Sequence, residues 1–332
     1  MNLAAEYLGL TLSGPIIPGA SPMNMHRDDV RRLEEAGAAA IVLPSLFEEQ
    51  IERGSKGLEH HPVAYENTMA EAATFAPPSM QEVFHYGPDE YLEHLFWLKE
   101  TLGIPVIGSL NGTSRGGWLD YAKQMEQTGA DALELNLYEM ATNPDDSGSA
   151  KELHVLEIVG AVRERVKIPL AVKLSPYYSS LPHFAALLES AKVDGLVLFN
   201  RFYQPDIDIE NLKVERTLHL SKSSELLLRL RWLAVLSDTF SGSLAATGGV
   251  HDVADIVKAV MSGAHAVQVV SALLRHGPKY LGTLKSRLAR WIEEHEYDSV
   301  QQMRGCMNLA RCPDPRQYER TNYLQVLQAW DT

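Results

Sequence analysis

The chain has 332 residues, 45% of them hydrophobic and 22% charged, with a formal net charge of −13 at pH 7. Its acidic residues are spread rather than run together, which leaves no basic footprint for nucleic acid. No apolar run approaches the roughly 18 residues needed to span a bilayer. The first 13 residues lack a signal-peptide pattern, so the cytoplasm is the expected compartment. Two cysteines, Cys306 and Cys312, make neither a disulfide framework nor a common zinc spacing and read as free thiols.

Residues 3–12 alternate weakly around Gly9 and predict a short β-hairpin leading in. Residues 15–21 read as a first buried strand, ending in the small pair Ala20-Ser21, where a flat ligand can approach the backbone. A helix over 27–37 is followed by the continuous apolar run 39–43, as expected of a parallel strand buried on both faces. From 44 to 89 periodicity fails, and the aromatic and Met content there suggests ordered cover over a site. Helices are then predicted at 91–102, 118–129, 151–166, 181–191 and 224–238. Between them lie strands at 104–111, 132–137, 170–175 and 195–200. A second irregular insert covers 201–221, and 138–150 reads as a polar loop. Strands at 244–249 and 266–271, a helix over 252–262 between them and a closing helix at 278–295 complete eight βα units. The expected architecture is a (β/α)8 TIM barrel over 1–297 with an N-terminal hairpin and long βα-loop inserts. A C-terminal helical tail, 298–332, packs on the barrel or at a subunit interface. No G-x-G-x-x-G follows the first strand, against a doubly wound sheet.

Polar residues end the strands where a barrel builds its active site: Ser21, Ser45, Asn111, Asn136, Lys173 and Asn200. Neutral amides suit a planar ligand with mixed donors and acceptors. The run Ala245-Ala246-Thr247-Gly248-Gly249-Val250 closes the seventh strand and opens a helix, and a similar strand end recurs at Ser271. Two such loops can aim backbone N–H groups and a helix dipole at one anion, and in barrels they are the usual phosphate site.

The order and spacing of several motifs resemble the dihydroorotate dehydrogenase family. They are YLGLTLSGP from Tyr7, GAS from Gly19, EEAGAAAIV from Glu34, ENTM from Glu66, ELNL from Glu134, AVKLSP from Ala171, LFN from Leu198, TGG from Thr247 and QVVSAL from Gln268. The resemblance implies FMN, with Gly248, Gly249 and Ser271 at its phosphate and Lys173 at the flavin ring near N1. It also implies substrate or flavin contacts for Asn67, Asn136 and Asn200. Asn111, Ala20, Ser21 and Ser45 stand near the cofactor. Soluble members are often homodimers, and an electron-transfer partner is a further expectation.

The sequence departs from the family at three places. Glu139 stands three residues after Asn136, where the family has a Cys or Ser base. Pro44 replaces a lysine after the second strand, and Val270 replaces a glycine. Glu139 is therefore the expected proton acceptor, with Tyr138 as acid or hydrogen-bond donor. Loss of a cation and gain of a carboxylate leave three alternatives to dihydroorotate oxidation: a paralogue acting on a less acidic substrate, an idle flavoprotein serving a partner, or a barrel enzyme using Lys173 as a Schiff-base amine.

Overall fold

The computed structural model describes residues 2–56, 86–137, 139–201, 204–215 and 219–329. Asn67 and Tyr138 lie outside the described residues. Strands β1 (Ala5–Tyr7) and β2 (Leu10–Leu12) form the expected antiparallel hairpin. Its two-residue turn carries Leu8 and Gly9 at φ 53° and 71°, the paired positive angles that match the twist of a tight hairpin.

The barrel follows as β3 (Ile16–Pro18), α1 (Arg27–Glu35), β4 (Ile41–Val42), β5 (Leu46–Phe47), α2 (Glu48–Lys56), α3 (Pro88–Thr101) and β6 (Val106–Asn111). It continues through α4 (Leu119–Thr128), β7 (Ala132–Asn136), α5 (Gly148–Arg165), β8 (Leu170–Leu174), α6 (Leu181–Ser190) and β9 (Gly195–Leu198). After a hairpin β10 (Asp206–Asp208) and β11 (Lys213–Glu215) come α7 (Leu226–Leu236), β12 (Ser243–Thr247), α8 (Val253–Ser262), β13 (Ala266–Val269), α9 (Ser271–His276) and α10 (Tyr280–Glu294). The tail holds α11 (Val300–Met303) and α12 (Thr321–Gln328).

The main sheet runs β3-β13-β12-β9-β8-β7-β6-β4, all parallel, and the Ala39 N–H donates to Ile16 O at 3.3 Å across the remaining gap. The (β/α)8 expectation holds. Three details differ from the sequence reading. The segment 44–56 forms β5 and α2, and the insert after β9 forms a hairpin that exposes Ile207, Ile209, Leu212 and Val214. Apolar residues on an exposed ribbon break the period that reveals core-facing elements. Helix α5 begins three residues earlier than expected, because Ser147 accepts the Ala150 N–H and caps it.

Side-chain direction alternates along every strand. Leu133, Leu135, Val172, Leu174, Leu196, Leu244 and Val267 face outward into the helix layer. Inward, the lowest layer is Ile17, Val42, Ile107, Ala132, Ala171, Val197, Ala245 and Ala266, with Tyr7, Leu8 and Leu12 of the hairpin packed into it. Four alanines leave the room that the hairpin fills. This plugs the lower end of the barrel and leaves the upper end, where the strands finish, for chemistry.

Candidate active site at the mouth of the barrel

One layer above the alanines the interior turns polar. Glu134, 1% exposed, accepts from Lys173 Nζ at 3.2 Å and from Gln268 Nε2 at 2.5 Å. Burial raises the Tyr91 and Tyr7 phenols well above their usual range, with Glu134 adding to both shifts. At the rim a second relay crosses four strands or strand ends. Asn200 Nδ2 donates to Asn136 Oδ1 at 2.8 Å, Asn136 Nδ2 reaches Ser45 Oγ at 3.4 Å, and Ser45 Oγ lies 2.8 Å from Ser109 Oγ.

Ser45, Asn136 and Asn200 line a cavity over the strand ends that also takes in Ala20, Ser21, Lys173, Thr247, Gly248, Gly249, Gln268 and Ser271. Gly248 and Gly249 sit at φ 82° and 80°. A Cβ on Gly249 would lie 2.4 Å from Leu226 N, and one on Gly248 would lie 2.8 Å from the Arg229 guanidinium. Arg229 is itself pinned beneath the loop by bonds from Nε to Thr247 O at 2.7 Å and from one terminal nitrogen to Glu225 O at 2.7 Å. Only glycine fits this loop.

The Gly249 N–H meets Ser221 Oγ at 3.3 Å, and Ser221 Oγ lies 2.9 Å from Ser271 Oγ and 3.1 Å from His251 Nε2. Burial, and the nearby Arg275 cation after it, lower the His251 pKa. The helix expected to aim its N-terminus at an anion is instead closed on itself. Asp252 caps Asp255, whose carboxylate takes the His251 and Asp252 N–H groups. The groups that line the cavity here are the glycine loop and the Ser221 and Ser271 hydroxyls.

Among the expected site residues, Ala20, Ser21, Ser45, Asn136, Lys173, Asn200, Gly248, Gly249 and Ser271 converge on this cavity. Asn111 ends β6, buried, but does not line it. Glu139 does not line it either. It borders a second cavity with Lys151, His154, Tyr177 and Tyr178, and Lys151 pairs with both Glu139 and Asp146. Ser221 and Arg201 line the main cavity without having been singled out, and Thr247 and Gln268, which open two of the motifs, line it without an expected role of their own. Asn24, also missed, is fully buried and ties Gly19 O to Val42 O at 2.8 and 2.7 Å, fixing the ends of the first two strands. Contacts between distant segments, not local sequence, reveal Ser221 and Asn24.

A family model described as dihydroorotate dehydrogenase matches residues 84–292, more than half of the chain. The chain belongs to the dihydroorotate dehydrogenase family. A relative from Thermoplasma volcanium, named dihydroorotate dehydrogenase B (NAD(+)), catalytic subunit, is 24% identical over 92% of this chain and 98% of its own. Proteins of the same name are similar in Pyrococcus furiosus, at 24% over 92% and 98%, and in Methanocaldococcus jannaschii, at 26% over 83% and 88%.

The family consists of FMN-dependent oxidoreductases acting on CH–CH groups. The donor set fits that cofactor. Twin-glycine N–H groups and two hydroxyls suit a phosphate. Lys173 offers a cation, and the buried Gln268 Oε1 has no hydrogen-bond partner and can accept an N–H of a planar ring. Among the described residues no helix is long and apolar enough to cross a membrane.

Proposed function

We propose that this protein oxidises dihydroorotate to orotate with FMN seated in the mouth cavity. The observation that carries the reading is the convergence of Gly248, Gly249, Ser271, Lys173, Asn136 and Asn200 on that one cavity. Bound FMN would take up the electron pair. The glycine loop, Ser271 and Ser221 hold the phosphate, Lys173 and Gln268 orient the ring, and Ala20, Ser21 and Ser45 let it lie close to the backbone. Asn136 and Asn200, with Asn67 outside the described residues, hold the substrate, and Asn111 supports the neighbouring strand end.

Pro44 removes one cation expected by family resemblance, but Arg201 and Lys173 both line the cavity. Arg201 stands 3.4 Å from Glu225 and is the proposed counter-charge for a substrate carboxylate. Among the described lining residues there is no carboxylate, thiol or imidazole. Because Glu139 is engaged by Lys151, its neighbour Tyr138 is the proposed residue for the substrate proton. The Schiff-base alternative is not favoured, since the Lys173 ammonium is committed to Glu134 while that chemistry needs a free amine.

For assembly we propose a homodimer that also meets an electron-transfer partner, in the cytoplasm. The relatives' naming as catalytic subunits supports the partner. Exposed apolar side chains on β10, β11 and α12 offer surfaces for assembly. Sedimentation of the purified chain at twice the monomer mass is the expected result for the dimer.

Anaerobic titration with dihydroorotate, followed in the visible flavin band, tests the function. Bleaching supports it. A flavin band that dihydroorotate leaves unchanged would shift the substrate to a less acidic compound on the same barrel.

A further inference from the structure

Glu134 is a charge in the interior of the barrel, one layer below the cavity and outside its lining. Taking a carboxylate out of water is costly unless a cation and hydrogen bonds repay it, and an apolar side chain could fill the layer instead. Both of its oxygens are used, one by Lys173 from β8 and one by Gln268 from β13. An ionised carboxylate only accepts hydrogen bonds, so it fixes what its neighbours present upward. Gln268 must turn its NH2 down, which leaves its unpartnered Oε1 as an acceptor. Lys173 is held as a donor beside it.

The pair also sets a field. A lone cation under a ring stabilises negative charge that develops on reduction. An anion 3.2 Å behind that cation offsets most of this, because the field of a close pair falls off faster than that of a single charge. We propose that Glu134 is a positioning residue for flavin reduction, orienting Lys173 and Gln268 and moderating the cation's pull on the reduced ring. This inference rests on FMN occupying the mouth cavity.

The test is the midpoint potential of bound FMN, measured by spectroelectrochemical titration in the wild type, Glu134→Gln, Lys173→Met and the double variant. Glu134→Gln should shift the potential positive, because the reduced ring becomes the sole counter-charge of Lys173. The double variant should match Lys173→Met, since the proposed effect of Glu134 runs through a cation that both variants lack. A null or negative shift in Glu134→Gln with flavin fully bound, or additive shifts in the double variant, would overturn the proposal. If Glu134→Gln alone does not fold, the charge-free double variant still decides, by matching Lys173→Met or departing from it. A wild type that carries no flavin, even after FMN is added, defeats the functional reading instead.

Discussion

Glu139 stands at the family's base position in sequence, but its side chain does not line the mouth cavity. It follows Asn136 by three residues, yet its carboxylate is held by Lys151 at a different cavity. A general base typically contributes about 10²–10⁴-fold. Glu139→Gln should therefore slow flavin reduction by dihydroorotate by less than about tenfold, read by stopped-flow absorbance; a larger loss would return the carboxylate to the mechanism. Gly249 makes the opposite case. Its φ of 80° and the 2.4 Å approach to Leu226 N leave no room for a Cβ. A left-handed conformation already costs other residues about 1–2 kcal/mol. Gly249→Ala should give a folded protein whose affinity for FMN falls at least about tenfold, measured by flavin fluorescence quenching. Gly117→Ala, where a Cβ meets nothing within 4 Å, should leave it unchanged. These glycines, Lys173 and the amides were legible because a strand end fixes where a side chain goes. Ser221 and Gln268 were not, because their value comes from partners about 50 and 134 residues away.

At the scale of elements, the eight strands were legible as apolar runs, but the runs do not say which face is inside. The size pattern does. Alanines at 132, 171, 245 and 266 mark the layer that receives Tyr7 and Leu8. The hairpin is thus a plug rather than an ornament, and its turn is tied in by the Leu8 N–H bond to Ser243 Oγ at 2.9 Å. Truncating a buried aromatic leaves a cavity that an interior of small, fixed residues cannot collapse to fill. Tyr7→Ala should cost about 3–5 kcal/mol of stability by urea unfolding, with little change in the FMN spectrum, since the plug lies at the far end from the mouth. The β10–β11 hairpin stayed hidden for the reason the strands were visible: it does not bury a periodic face in the core.

Across the whole molecule, the N-terminal hairpin plugs the lower end and the tail is tied to helix ends beside it. Tail N–H groups at Gly305, Met307 and Leu309 donate to Val260, Met261 and Ala234, satisfying carbonyls in the last turns of α8 and α7. His265 sits at this junction. Its Nδ1 accepts the Leu244 N–H at 3.0 Å, which requires an unprotonated nitrogen. Burial, and the Arg304 cation of the tail after it, pull its pKa down to about 4. A histidine with a depressed folded-state pKa binds protons better when unfolded. Its contribution is therefore intact above the unfolded value of about 6.5 and is lost as pH falls from there toward about 4, on the order of 3 kcal/mol over the full window. Urea titrations from pH 7 to pH 4.5 should show this decline, and His265→Gln, which can still accept the Leu244 N–H, should flatten it. An unchanged slope in the variant would move the acid sensitivity to His94 or His251, whose pKa values burial also lowers. Both lie toward the mouth, so FMN added in excess would then restore stability at low pH, whereas acid damage at His265 is at the opposite end and should respond little to FMN.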